Sequence, residues 1–145
     1  MEKARAKGEK RGIHKMLRIW IDGAARGNPG PASAGVVIED GAGKTLLDEG
    51  YRLGETTNNV AEYTALLKAL EAAAGLEAKT LKIHSDSELL VKQVNGLYRV
   101  KHPNLKPLHA QAMKGIDGFD SVELVHVRRE FNTRADAAAN RALDG

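Results

Sequence analysis

Residues 17–22, LRIWID, alternate Leu17, Ile19 and Ile21 with Arg18, Trp20 and Asp22, the period of two that turns one face of a strand inward. The glycine- and proline-rich stretch from Gly23 to Pro31 predicts a turn. Ala34–Glu39 predicts a second strand, Asp40-Gly41-Ala42-Gly43 a hairpin turn and Lys44–Leu53 a third strand, so the first part reads as an antiparallel meander. The period then changes. Tyr63, Leu66, Leu67, Leu70 and Ala74 recur at helical spacing opposite Thr64, Lys68 and Glu71, which predicts a helix over Asn59–Ala74 that stops at Gly75. Beyond it the pattern predicts a strand at Thr80–His84, a helix at Ser87–Val94 and a loop at Leu97–Pro103. A helix at Asn104–Ile116 follows, tolerating Pro107 in its first turn, then a strand at Ser121–Val127 and an alanine-rich helix at Thr133–Leu143. The order βββαβααβα predicts an α/β fold, a mixed sheet with helices on both faces.

Composition narrows this. A chain of 145 residues fits one compact domain. With no cysteine there is no disulfide framework, thiolate metal site or cysteine nucleophile, which agrees with a cytoplasmic location. No apolar run approaches the ~18–20 residues of a membrane span, so no membrane partner is expected. Residues 1–16 carry six Lys/Arg and two Glu, a net +4, against +3 for the whole chain, which leaves −1 for residues 17–145. The basic character therefore sits in a tail, 1–16, expected to be disordered, ahead of a domain spanning 17–145. If the domain meets a polyanion, local geometry and bound cations must attract it, because its bulk charge does not.

Four acidic residues stand at the ends of the expected elements: Asp22 closes the first strand, Glu62 lies in the first turn of the first helix, Asp86 follows the fourth strand, and Asp136 lies in the first turn of the last helix. Each has an ordinary explanation. Glu62 completes a capping box with Asn59, Asp86 caps a helix beside a Ser85–Glu88 box, Asp136 favours a helix N-terminus, and Asp22 is a turn residue. Gathered in one place, the same carboxylates are hard oxygen ligands that suit Mg²⁺ or Mn²⁺.

Their surroundings decide between these readings. The chain contains Asp22-Gly23-Ala24-Ala25-Arg26-Gly27-Asn28-Pro29-Gly30-Pro31, Thr56-Thr57-Asn58-Asn59-Val60-Ala61-Glu62, Asp86-Ser87 and Asn132-Thr133-Arg134-Ala135-Asp136. These four blocks, in this order, resemble the ribonuclease H type 1 family from about Leu17 to Ala142. The resemblance implies a ribonuclease H-like fold with a five-stranded mixed sheet, three antiparallel strands then two parallel. It implies cleavage of the RNA strand of an RNA–DNA hybrid by two-metal-ion catalysis, giving 5′-phosphate and 3′-hydroxyl ends, with two Mg²⁺ ions per site or Mn²⁺ in their place. Asp22, Glu62, Asp86 and Asp136 are then catalytic metal ligands: Asp22 bridges both ions, Asp136 holds the one that activates water, and Glu62 and Asp86 complete the second site. Gly23, Asn28, Thr57, Asn58, Asn59 and Arg129 are expected to bind substrate, reading 2′-OH groups and phosphates from a single chain acting as a monomer.

Three departures from the family pattern stand out. The basic protrusion of many members is reduced to Asn95–Lys106, leaving Tyr98, Arg99 and Lys101 as residual contacts. No histidine-bearing loop precedes Asp136; His126 falls inside the strand pattern and reads as structural or partly exposed, not as that loop's histidine, with Arg129 or Arg128 in the loop's place. Glu88 stands where glutamine is frequent. The alternatives are a same-fold nuclease acting mainly on double-stranded RNA, a detached reverse-transcriptase domain, a non-catalytic hybrid-binding module, and a structural domain whose acids are all caps.

Overall fold

The computed structural model describes residues 16–145. Five strands, β1 (Met16–Ala25), β2 (Gly30–Glu39), β3 (Thr45–Thr56), β4 (Thr80–Ser85) and β5 (Ser121–His126), form one sheet in the order β3-β2-β1-β4-β5. β1, β2 and β3 pair antiparallel, and β4 and β5 add to β1 in parallel. The helices are α1 (Asn58–Gly75), α2 (Glu88–Val94), α3 (Lys106–Ile116) and α4 (Thr133–Asp144). The expected fold and element order are both present.

Alternation on β1 places Leu17, Ile19 and Ile21 on one face, where they meet Val36, Ile38, Leu81 and Ile83 of neighbouring strands and Tyr63, Leu66 and Leu70 of α1. α3 packs on α1. The opposite face carries Asp22 and its cross-strand partner Gly35, and α4 lies there so closely that a Cβ on Gly35 or Gly50 would overlap the α4 backbone at Ala135 or Ala138. Alanines 135, 138 and 139 supply the small surface this approach needs. Ser33 Oγ donates to the Ala139 carbonyl at 2.7 Å and fixes the helix along its length.

Local expectations are corrected in four places. The turn after Asp22 is confined to residues 26–29, because β1 and β2 stay paired as far as Ala25 and Ala32. On α1 the expected Tyr63, Leu66 and Leu70 are buried, joined by Ala61, Ala65, Ala69 and Ala73, but Leu67 is only half-buried and Ala74 is exposed. α3 starts at Lys106 rather than Asn104, with its proline in the first turn. Met16, expected in the tail, already belongs to β1; residues 1–15 of that expected disordered tail lie outside the described residues.

Candidate active site

Asp22 is the point where the sheet meets both helical layers. It is buried near the end of β1, and the next residue, Gly23, donates its amide to Glu62 Oε1 at 2.9 Å. Glu62 therefore turns toward the strand. The cap of α1 is Thr57, whose Oγ1 accepts from Val60 N at 3.2 Å, so the expected Asn59–Glu62 capping box does not form.

Asp86 is held by its neighbours. Ser85 Oγ accepts from Ser87 N at 3.0 Å, and the Ser85 carbonyl accepts from Val127 N at 2.9 Å. Ser87 caps α2 through Leu90 N, so neither Asp86 nor Ser85 serves as the cap. Glu88 pairs with Lys92 at 2.8 Å.

Asp136 comes from the first turn of α4 and lies within hydrogen-bonding reach of Asp22. The helix is tied to β1 by Asn132, whose buried Nδ2 donates to the Ile21 carbonyl at 2.9 Å. Asn132 was legible as part of a motif, but its buried link to the residue before Asp22 carries no local sequence signal.

Oxygens of Asp22, Glu62 and Asp86 all lie within 4.8 Å of one another. Burial raises the Asp22 carboxyl to about 9, with the charges of Glu62, Asp86 and Asp136 adding to the effect. Burial likewise lifts Glu62 to about 8, with Asp86 adding and the Gly23 N–H opposing. Such crowding of acids is costly unless protons or cations offset it. The donors are all carboxylate oxygens, a set that fits hard divalent ions.

The cluster opens into a cleft of about 670 Å³, lined by Gly23, Asn58, Ser87, His126, Arg129 and Asn140 among others. Of the expected substrate residues, Gly23, Asn58 and Arg129 border it. Asn28 and Thr57 do not line it: the exposed Asn28 accepts through Oδ1 from Asn58 N at 2.9 Å and joins the β1–β2 turn to α1. Asn59 is exposed and does not line the cleft. His126, expected to be structural or partly exposed, is exposed at the end of β5, and it borders the cleft beside Arg128 and Arg129.

Sheet order and carboxylate cluster together define the ribonuclease H-like class. A family model described as "Reverse transcriptase-like" matches residues 21–142. "Ribonuclease HI" of Halobacterium salinarum is 44% identical over 128 residues, 88% of this chain and 64% of that protein. "Ribonuclease H" of Dechloromonas aromatica is 32% identical over 142 residues, 88% of this chain and 93% of that protein. The crystal structure of LC11-RNase H1 in complex with an RNA/DNA hybrid superposes with a TM-score of 0.84 at 44% identity, covering 88% of this chain and 96% of that one. The chain belongs to the type 1 ribonuclease H family, a family of hydrolases. It spans 64% of the Halobacterium relative and 35% of a bifunctional Mycobacterium tuberculosis relative. Between α2 and α3 it carries only a short connection, which makes it a member without the basic protrusion.

Proposed function

We propose that this chain is an endoribonuclease that hydrolyses the RNA strand of RNA–DNA hybrids with two divalent ions, Mg²⁺ or Mn²⁺ as substitute, leaving 5′-phosphate and 3′-hydroxyl ends. The observation that carries the reading is the meeting of Asp22, Glu62 and Asp86 oxygens within 4.8 Å, with Asp136 beside Asp22. Asp22, Glu62, Asp86 and Asp136 would hold the ions, and Asp22, central to the other three, suits the bridging position. Bound ions would supply an activated water and charge relief at the leaving oxygen.

The chain's own residues supply the rest. The strand pairing and the Gly23–Glu62 link fix the donor oxygens before substrate arrives, so little rearrangement accompanies binding. Gly23 lets a ribose approach the backbone, and the Asn58 amide can both donate to and accept from a 2′-OH. Asn28 and Thr57 position Asn58 and the start of α1, with Thr57 Oγ1 as the candidate contact to a DNA-strand phosphate. Asn59 extends this polar rim. Arg129, at the cleft with no side-chain partner among the described residues, is the candidate phosphate ligand.

Because every candidate residue comes from one chain, the reading includes a monomer. A cysteine-free composition agrees with work in the cytoplasm, with residues 16–145 as the catalytic domain and 1–15 as a basic tether. The test is gel analysis of matched RNA–DNA hybrid, duplex RNA and duplex DNA with Mg²⁺, Mn²⁺ or chelator. Cutting of the hybrid RNA strand alone, lost in chelator and in Asp22→Asn with hybrid binding retained, supports the proposal. Preferential cutting of duplex RNA, or metal-independent cutting, would overturn it.

A further inference from the structure

The sheet face that carries Asp22 also carries an aromatic pair. Trp20 of β1 and His84 of β4 are direct partners in the parallel register, and their rings stack with centroids 4.7 Å apart and planes 9° from parallel. His84 Nδ1 lies 2.8 Å from the Ile19 carbonyl oxygen. A carbonyl only accepts, so Nδ1 carries the proton and donates. The imidazole is thus held twice by β1, along one edge by a backbone oxygen and across its face by an indole.

This pair sits at a particular place. Side chains two apart on a strand share a face, so Trp20 is the next residue below Asp22. His84 is followed at once by the Ser85–Ser87 turn that holds Asp86. Both rings are only half-buried, and neither belongs to the main hydrophobic core. Core formation therefore does not account for them. Meanwhile Asp22, near the end of β1, and Asp86, just past the end of β4, stand close, so the spacing of their oxygens depends on how these two strand ends are held together.

We propose that the Trp20–His84 stack is a clamp that fixes the spacing of the Asp22 and Asp86 carboxylates, which makes both rings positioning residues for the divalent-ion site. The inference rests on the metal-site reading given above. The clamp joins β1 to β4 through side chains two residues before Asp22 and Asp86, next to the Ile21–Ser85 pair that ends the ladder, and so adds a side-chain tie to the backbone pairing there.

Calorimetric titration of Mn²⁺ into wild type, His84→Ala and His84→Phe tests this, with metal-free melting and hybrid cleavage kinetics in parallel. His84→Ala is expected to weaken Mn²⁺ binding about 10-fold, the low end for groups just outside a metal's own ligands. It should raise the Mn²⁺ needed for half-maximal cleavage equally, and leave KM for hybrid at saturating Mn²⁺ unchanged. His84→Phe keeps a ring against Trp20 and should restore the affinity. Should His84→Ala not fold, Trp20→Leu reads the same quantity. Wild-type Mn²⁺ affinity in His84→Ala, or failure of His84→Phe to restore it, would overturn the clamp alone. Absence of Mn²⁺ binding in wild type would overturn the functional reading and the clamp with it.

Discussion

Gly23 and Glu62 fix one another. The Gly23 amide donates to Glu62 Oε1 at 2.9 Å, and the backbone of Ala61 and Glu62 fills the space that a side chain at position 23 would need. The end of β1 and the first turn of α1 can touch only because residue 23 has no Cβ.

Gly23→Ala should therefore push strand and helix apart. Overpacking of this kind costs about 1–3 kcal/mol, and here it also displaces a metal-ligand candidate. Urea unfolding should show a lower midpoint, and Mn²⁺ titration a weaker site. An unchanged midpoint together with unchanged Mn²⁺ affinity would contradict the contact.

The acid cluster predicts an unusual pH dependence. Asp22 and Glu62 are raised to about 9 and about 8 in the fold, chiefly by burial. In the unfolded chain both lose their protons near pH 4. The folded, metal-free protein thus keeps protons that the unfolded chain releases, and stability must fall as pH rises from about 4 to about 9. This contribution is complete below pH 4 and gone above 9. Divalent ions compete with the same protons, so their affinity should rise over that range. Melting at pH 5, 7 and 9, with and without Mg²⁺, checks both signs; Asp22→Asn should flatten the metal-free curve.

Arg128 and Arg129 should separate in kinetics. Both border the cleft, but Arg128 is already paired with Glu130 at 2.8 Å and lies over the Phe131 ring, while Arg129 has no side-chain partner among the described residues. A charge-assisted bond to phosphate contributes about 1.5–3 kcal/mol, so Arg129→Ala should lower kcat/KM on hybrid about 10- to 100-fold. Arg128→Ala breaks only an exposed pair, worth about 0–1 kcal/mol, and should stay within about fivefold. Equal losses would reassign the phosphate contact.

Asn132→Ala removes the donor that satisfies the buried Ile21 carbonyl. An unsatisfied buried acceptor costs about 1–3 kcal/mol. Because the link joins the residue before Asp22 to the start of α4, Mn²⁺ affinity should fall along with the urea midpoint. Loss of stability alone, with full metal affinity, would show that Asn132 does not register Asp136 against Asp22.

The sequence made the four carboxylates legible because each sits in its own short block at an element boundary, and a strand order follows once periods of two and 3.6 are told apart. Caps were not legible. Thr57, Asn59, Ser85 and Ser87 are all competent cap residues, and only the path of the backbone decides which oxygen meets which N–H. Alternation ran through His126 without revealing that β5 stops there, at the rim of the cleft. The Asn132–Ile21 bond and the Trp20–His84 stack join residues far apart in the chain, so no window of sequence contains them.

The placement of Asp136 on α4 has a consequence for how such a chain comes into being. Asp22 emerges from the ribosome with the first strand, but its partner arrives only after every other element has been made. On the proposed reading, a nascent chain that stops short of α4 lacks its last ligand, so synthesis itself delays nuclease activity until this last element of the domain has been made.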